Sequence, residues 1–365
     1  MSHPLAAATA AHNEAIRLAQ DGAIAAAIVR LREAVALAGA DRVDPRTPKA
    51  LWRLAQDAGD WPAAIAAGVL AATRDPLDSR FVHGVVRSLA RCPREALLPA
   101  AGFPWLPLPA ILPRLSVVLV SRDAARFAAV EAEYERAFAH WPHERIRIAD
   151  ARSMYDGYAR GFAQSSGEIV VFSHDDIRFA VPDAAARLAR ALADADLVGV
   201  AGTTRVSGPA LLWAGHPHLF GTITHQAGHD AGCEFAVASL AGPLVRGAQG
   251  LDGVFIAGRR DWIARIGFDA ERFPGFHYYD LDFSYRAHLA GARVAIAGDL
   301  ALIHRSRGVF DAQWQAAQRA FAAKFALGGA PPGRDRHWYA VTLPDADAVT
   351  TMYAKLFAAW ELALP

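Results

Sequence analysis

The apolar run Ile169-Val170-Val171-Phe172 ends on Ser173-His174-Asp175-Asp176, and that junction limits what the chain can become. An uninterrupted run of β-branched and aromatic residues reads as a strand buried on both faces, in a sheet covered by helices. A histidine and two carboxylates at the end of such a strand are costly to bury unless something pairs with them. The surrounding sequence repeats the pattern. Leu115–Val120 reads as strand, 126–140 as helix, 145–148 as a partly exposed strand and 153–165 as helix. Strand 168–172, helix 184–194 and strand 197–200 follow. Such alternation predicts right-handed βαβ units, a mostly parallel sheet, and ligands beyond the carboxyl ends of its strands.

The first hundred residues carry a different signal. Arg17-Leu18-Ala19-Gln20-Asp21 recurs as Arg53-Leu54-Ala55-Gln56-Asp57, Gly22 finds its counterpart in Gly59, and Ile28 in Ile65, a period of 36 to 37 residues. Ala11, Ala15 and Leu18, then Ile24, Ile28, Leu31 and Val35, recur at helical spacing. Gly22 and Gly59 stand where each helix pair must turn, because glycine accepts a positive φ there. Residues 78–91 offer a third pair. The stretch resembles tetratricopeptide repeats over about 70 residues, with an ordinary alanine-rich bundle as the alternative. Pro93, Pro99, Pro104, Pro107, Pro109 and Pro113 then predict an extended connector. The expected division is helical repeats at 1–95, a proline-rich linker at 96–113, an α/β domain at 114–330 and a helical C-terminal extension at 331–365.

Composition removes several classes. With 38 Lys+Arg against 37 Asp+Glu, the net charge of +1 argues against a nucleic-acid protein held by phosphate contacts. Two cysteines, Cys92 and Cys233, build neither a disulfide framework nor a cysteine zinc module, which points to a reducing compartment. Met1–Ala11 lacks a basic region followed by an apolar core, so no signal peptide is expected, nor any transmembrane segment. The expected location is cytoplasmic.

Tyr158-Ala159-Arg160-Gly161-Phe162-Ala163, followed by Ser166-Gly167-Glu168 and the strand into His174-Asp175-Asp176, resembles the nucleotide-sugar half of family 2-type glycosyltransferases. The resemblance implies a GT-A fold, a Rossmann-like αβα sandwich. The family usually has Asn at the position of Ala159 and Asp-x-Asp at His174-Asp175-Asp176. On this likeness Asp176 takes the metal position and Asp175 lies near the ribose or diphosphate. Ser121 and Asp150 follow the first two strands and would also contact the nucleotide sugar. The acidic residue near the second strand in this family accepts a hydrogen bond from the base, and a carboxylate suits the imide N–H of uracil or thymine. A UDP- or dTDP-linked donor is therefore expected. A helix N-cap is the plain alternative for Asp150.

The second half of the motif set is Phe276-His277-Tyr278-Tyr279-Asp280-Leu281-Asp282-Phe283-Ser284-Tyr285-Arg286, with Gly291 before the next strand. It resembles Glu-Asp-x-Asp-(Leu/Phe)-x-x-Arg of the same transferases, with Tyr279 where Glu is usual. Asp280 aligns with the catalytic base, and Asp280 and Asp282 are the catalytic candidates. The alternative is that both cap the helix at 281–290. His304 stands where transferases of this fold place a histidine on the metal or diphosphate, and the expected ion is Mn²⁺ or Mg²⁺. His216, His218, His225 and His229 match no zinc spacing and are read as part of a mobile loop over the acceptor.

The expected function is a metal-dependent inverting glycosyltransferase, of hexosyltransferase type. It would move sugar from a nucleotide sugar to a glycan or protein hydroxyl. Its helical repeats would hold the acceptor, a protein partner or another copy. Two alternatives differ in class. A nucleotidyltransferase would need a glycine-rich loop after the first strand, where Ser121-Arg122-Asp123-Ala124-Ala125 has none. An inert transferase-like scaffold would use only its repeats.

Overall fold

The computed structural model describes residues 4–98, 105–226 and 232–363. Pro99 and Pro104 of the connector, and His229 of the histidine cluster, lie outside them. The chain begins with α1 (Pro4–Gln20), α2 (Ile24–Ala38), α3 (Arg46–Asp57), α4 (Trp61–Arg74), α5 (Ser79–Arg91) and α6 (Arg94–Leu97). Gly22 (φ 81°) and Gly59 (φ 76°) turn α1 into α2 and α3 into α4 in the left-handed region, as the repeat predicts. Asp60 and Asp78 cap α4 and α5 through the backbone N–H groups of Ala63 and Phe81.

The α/β part opens with β1 (Leu115–Val120), α7 (Ala124–Ala137), β2 (His143–Ile148), α8 (Met154–Gln164), β3 (Ile169–Ser173), β4 (Ile177–Phe179) and α9 (Ala184–Asp194). It continues through β5 (Leu197–Gly199), β6 (Ala201–Thr203), β7 (Leu219–Gln226), β8 (Cys233–Val237), β9 (Leu244–Arg246), β10 (Gly250–Leu251) and β11 (Phe255–Arg259). The chain then forms α10 (Arg260–Ile266), α11 (Tyr279–Leu289), β12 (Val294–Ala297), β13 (Leu302–His304), α12 (Ala312–Lys324), β14 (Tyr339–Leu343) and α13 (Ala346–Ala363).

Among the described residues these strands form two sheets. The first has the order β2-β1-β3-β11-β5-β12-β9. Its pairs β1–β2, β1–β3 and β5–β12 are parallel, but β11 runs antiparallel to both β3 and β5. The sheet is thus mixed rather than mostly parallel. The second sheet joins β10, β6, β7, β13 and β4, with β8 and β14 extending from β7. The pairs β4–β13, β7–β13 and β8–β14 span long separations, and the alternation of strand and helix carries no trace of them. His225, expected on a loop, lies in β7 opposite His304 of β13.

One hydrophobic core crosses from the helices into the sheets. Val69 of α4 and Val82, Val85, Val86 and Leu89 of α5 share it with Leu115, Val171 and Phe255 of the first sheet and with Tyr353 and Trp360 of α13. Lys355 of α13 is buried and donates to the carbonyls of Ala90 (3.1 Å) and Cys92 (2.9 Å), the last turn of α5 and its cap. Ala15, Ile28, Leu31, Leu51 and Ala55 of α1, α2 and α3 cluster with Ala63, Ala64 and Ala67 of α4.

Burying an aliphatic side chain stabilises by about 1.5–3 kcal/mol. The four apolar residues that α5 buries therefore contribute about 6–12 kcal/mol, as much as the whole stability of a typical domain. Deleting residues 1–95 is accordingly expected to give aggregated protein. Deleting residues 1–43 should leave a soluble chain with one cooperative melt. Size-exclusion chromatography and circular dichroism of the two truncations check this; a soluble, cooperative 1–95 deletion would contradict the shared core.

Candidate active and metal site

Parallel pairing brings the carboxyl ends of β1, β2 and β3 to one edge, with Leu119 opposite Ser173 and Val120 opposite Ile148. Because β11 is antiparallel, the turn Asp252-Gly253-Val254 before it reaches the same edge, with Phe255 opposite Ser173. The His174 N–H donates to the Val254 carbonyl at 3.1 Å. β13 then lays His304 opposite Ile177, beside Asp176.

Three side chains from this edge converge. His304 Nε2 lies 3.2 Å from Asp176 Oδ1, 3.1 Å from His174 Nδ1 and 3.2 Å from Ser306 Oγ. One ligand atom from each of His174, Asp176 and His304 falls within 4.8 Å of the others, a spacing that one metal ion can bridge. Burial works to raise the Asp176 pKa. Hydrogen bonds from His304 and Ser306 and the charges of His304 and His174 outweigh it and hold the carboxyl below its usual range. Burial, reinforced by His304, lowers the His174 pKa. Neutral imidazole and ionised carboxylate are the forms that bind metal.

The catalytic candidate sits one turn away. Tyr278, in a left-handed conformation (φ 64°), opens α11 and is anchored by its hydroxyl on the Pro209 carbonyl (2.8 Å). Asp280 therefore enters in the first turn, where the helix dipole favours negative charge. Its Oδ2 accepts the Gly253 N–H at 2.8 Å. Only glycine fits there, because a Cβ on Gly253 would lie 2.2 Å from the Tyr279 hydroxyl and 2.9 Å from the Asp280 Cβ. Burial and then the charge of Asp252 raise the Asp280 pKa to about 7. Asp252 also accepts the Val254 N–H at 3.0 Å, so the two acids grip successive amides of one turn. Sequence reasoning passed over Asp252; its only signal is its place before Gly253.

The other candidates lie apart from this cluster. Asp282 has 0% exposure, and its carboxylate accepts from Tyr155 (2.7 Å), Arg286 (2.9 Å) and Lys324 (2.6 Å). It faces the packing of α11 against α8 and α12. Asp150 is exposed, and its ion pair with Arg160 (2.6 Å) lowers its pKa. It does not cap α8, because Ser153 does. Ser121 is buried, with its hydroxyl on the Asp123 carbonyl (3.0 Å). Asp175 is half-buried between the cluster residues His174 and Asp176 in sequence.

The two acids of α11 predict opposite stability effects. A raised folded pKa means that the folded state keeps the Asp280 proton up to about pH 7. Its contribution is then full below the unfolded pKa, near 4, and is lost as pH rises through about 7. Asp280→Asn stays neutral, so in metal-free buffer at pH 8 it should melt higher than wild type, with the gap closing at pH 5. Asp282→Asn should lose about 3–5 kcal/mol, because it weakens a buried ion cluster. Denaturant unfolding of both variants at the two pH values checks this; equal stability of Asp282→Asn and wild type would contradict the cluster.

No curated protein matches the sequence. Similar solved structures include the mannosyltransferase PcManGT from Pyrobaculum calidifontis in complex with GDP-Man and Mn²⁺. It is 15% identical with a TM-score of 0.35, covering 82% of this chain and 98% of that one. GalNAc-T7 with UDP, GalNAc and Mn²⁺ is 9% identical with a TM-score of 0.34, over 54% of this chain and 44% of that one. TarS 1-349 from S. aureus is 13% identical with a TM-score of 0.34, over 60% and 66%. These likenesses are remote, and the family is fixed by sequence. The profile of the "Glycosyltransferase like family" matches residues 137–325, which hold the whole His174, Asp176, His304 and Asp280 constellation. The α/β part is GT-A-like, and by that match over half of its length the chain belongs to the glycosyltransferase-like family.

Proposed function

We propose that the protein is a metal-dependent inverting glycosyltransferase, moving a hexosyl group from a UDP- or dTDP-linked donor to a hydroxyl of a glycan or protein. The observation that carries this reading is the convergence of Asp176, His304 and His174 one hydrogen-bonded turn from Asp280. An imidazole nitrogen and an ionised carboxyl suit a divalent cation such as Mn²⁺ or Mg²⁺, with His304 and Asp176 as the ligands. Such an ion supplies positive charge for the departing diphosphate.

The remaining chemistry falls to the chain. Asp280 takes the proton of the acceptor hydroxyl as that oxygen bonds to the anomeric carbon and the bond to the diphosphate breaks. A pKa of about 7 suits a general base. One displacement without a covalent enzyme intermediate inverts the anomeric centre. Asp282 holds α11 in place through Arg286, Lys324 and Tyr155, which fixes the position of Asp280. Ser121, Asp150 and Asp175 are assigned to the nucleotide, with Asp150 accepting the base imide N–H. The paired helices α1–α2 and α3–α4 support a tetratricopeptide-like platform for the acceptor or for another subunit. The two buried free thiols, Cys92 and Cys233, support a cytoplasmic location. No helix among the described residues is long and apolar enough to cross a membrane.

Asp280→Asn should lower donor turnover, read as nucleoside diphosphate release, by about 10²–10⁴ while the donor Kd hardly moves. In the wild type, turnover should rise with pH through about 7, because the base works deprotonated. Asp176→Ala should instead abolish metal-dependent donor binding by calorimetry. Full turnover by Asp280→Asn would overturn the base assignment. Unchanged donor affinity in Asp176→Ala would remove Asp176 from the metal site.

A further inference from the structure

Two of the departures from the usual transferase pattern replace an acid, His174 and Tyr279. The fold makes these two residues partners across 105 positions: His174 Nε2 lies 2.9 Å from the Tyr279 hydroxyl. That hydroxyl also lies 3.2 Å from the Gly253 carbonyl oxygen, which can only accept. With the phenolic hydrogen on Gly253, the phenol oxygen is left to accept from His174. The proton on the His174 ring is thereby fixed on Nε2, and the lone pair is fixed on Nδ1. Nδ1 is the atom that faces His304 Nε2 at 3.1 Å.

We propose that His174 is a third metal ligand through Nδ1, oriented by Tyr279, and that the resulting two-imidazole, one-carboxylate set selects a transition ion such as Mn²⁺ over Mg²⁺. The proposal rests on the metal reading of Asp176 and His304 given above. The two ring nitrogens of His174 act differently, with Nε2–H donating to Tyr279 and Nδ1 left to ligate. The backbone of His174 is tied to Val254, so the ring is held from both ends. Ser306 Oγ, 3.2 Å from His304 Nε2, adds a hydroxyl beside the same donor set. Imidazole nitrogen is a ligand of transition ions, whereas Mg²⁺ prefers oxygen and gives up its water reluctantly. Tyr279 is a positioning residue that acts through His174. Its carbonyl partner Gly253 is the residue whose N–H holds Asp280, so one hydrogen-bonded chain runs from the metal ligands to the base.

The test uses metal-free full-length protein titrated by calorimetry with Mn²⁺ alone and Mg²⁺ alone, and with Co²⁺ followed by its visible d–d absorption. Wild type should bind Mn²⁺ at least about tenfold more tightly than Mg²⁺. Tyr279→Phe should weaken Mn²⁺ by about 10-fold or more, as loss of a ligand's hydrogen-bond partner does, and shift the Co²⁺ spectrum of a protein that still melts in one cooperative transition. His174→Ala should weaken Mn²⁺ at least as much. His174→Asp, which keeps a ligand of oxygen type, should collapse the Mn²⁺ to Mg²⁺ ratio. Equal wild-type affinity for the two ions, or a His174→Ala variant with unchanged Mn²⁺ affinity while Asp176→Ala and His304→Ala lose it, would overturn the proposal and leave the two-ligand site standing. Mn²⁺ affinity indifferent to all three alanine substitutions would overturn both.

Discussion

The parallel pairing of β1 with β3, continued by the antiparallel pairing of β11 with β3, is the constraint on which the site depends. It sets the end of a strand buried along its whole length against the turn Asp252-Gly253-Val254. Polar residues that follow such strands emerge at one edge with little water to serve them. They must satisfy one another or a ligand. His174, Asp176 and His304 do so across three segments of chain, and Asp280 closes the edge from α11. A shift of register by one residue would turn Ser173 and Phe255 to the opposite faces and dissolve the cluster.

The same edge separates two electrostatic environments on one helix. Asp280 and Asp282 are two residues apart, yet Asp282 has three donors, two of them cationic, whereas Asp280 has a backbone N–H and a neighbouring acid. The first arrangement suits a structural carboxylate. The second leaves a carboxyl whose proton is held near neutral pH, the condition under which it can accept and return one. Helical periodicity explains the division, because residues two apart point to different sides of α11.

Much of this was legible in the sequence, and unevenly. β1 was readable to the residue because its apolar run is bounded by a proline-rich stretch and by Ser121. The motifs around Asp176 and Asp280 were readable through their resemblance to those of family 2-type glycosyltransferases, one at a strand end and the other at a helix start. β4, β7, β8, β13 and β14 were not, since they are short strands and the pairs β4–β13, β7–β13 and β8–β14 join distant parts of the chain, which leaves no local period. For the same reason the contact between His174 and Tyr279 could not be read, although each residue stood out alone as a departure. Lys355, a buried cation whose partners are backbone carbonyls of α5 and its cap, is equally invisible to spacing arguments.

A thermal-shift screen of the wild-type protein against nucleotide sugars, with and without Mn²⁺, tests the proposed donor site most directly. A ligand at 100 times its Kd stabilises a folded protein by about 2.7 kcal/mol. The predicted result is a rise in Tm with a uridine- or thymidine-diphosphate sugar that appears only when Mn²⁺ is present. Stabilisation by no nucleotide sugar, or stabilisation indifferent to the metal, would contradict it.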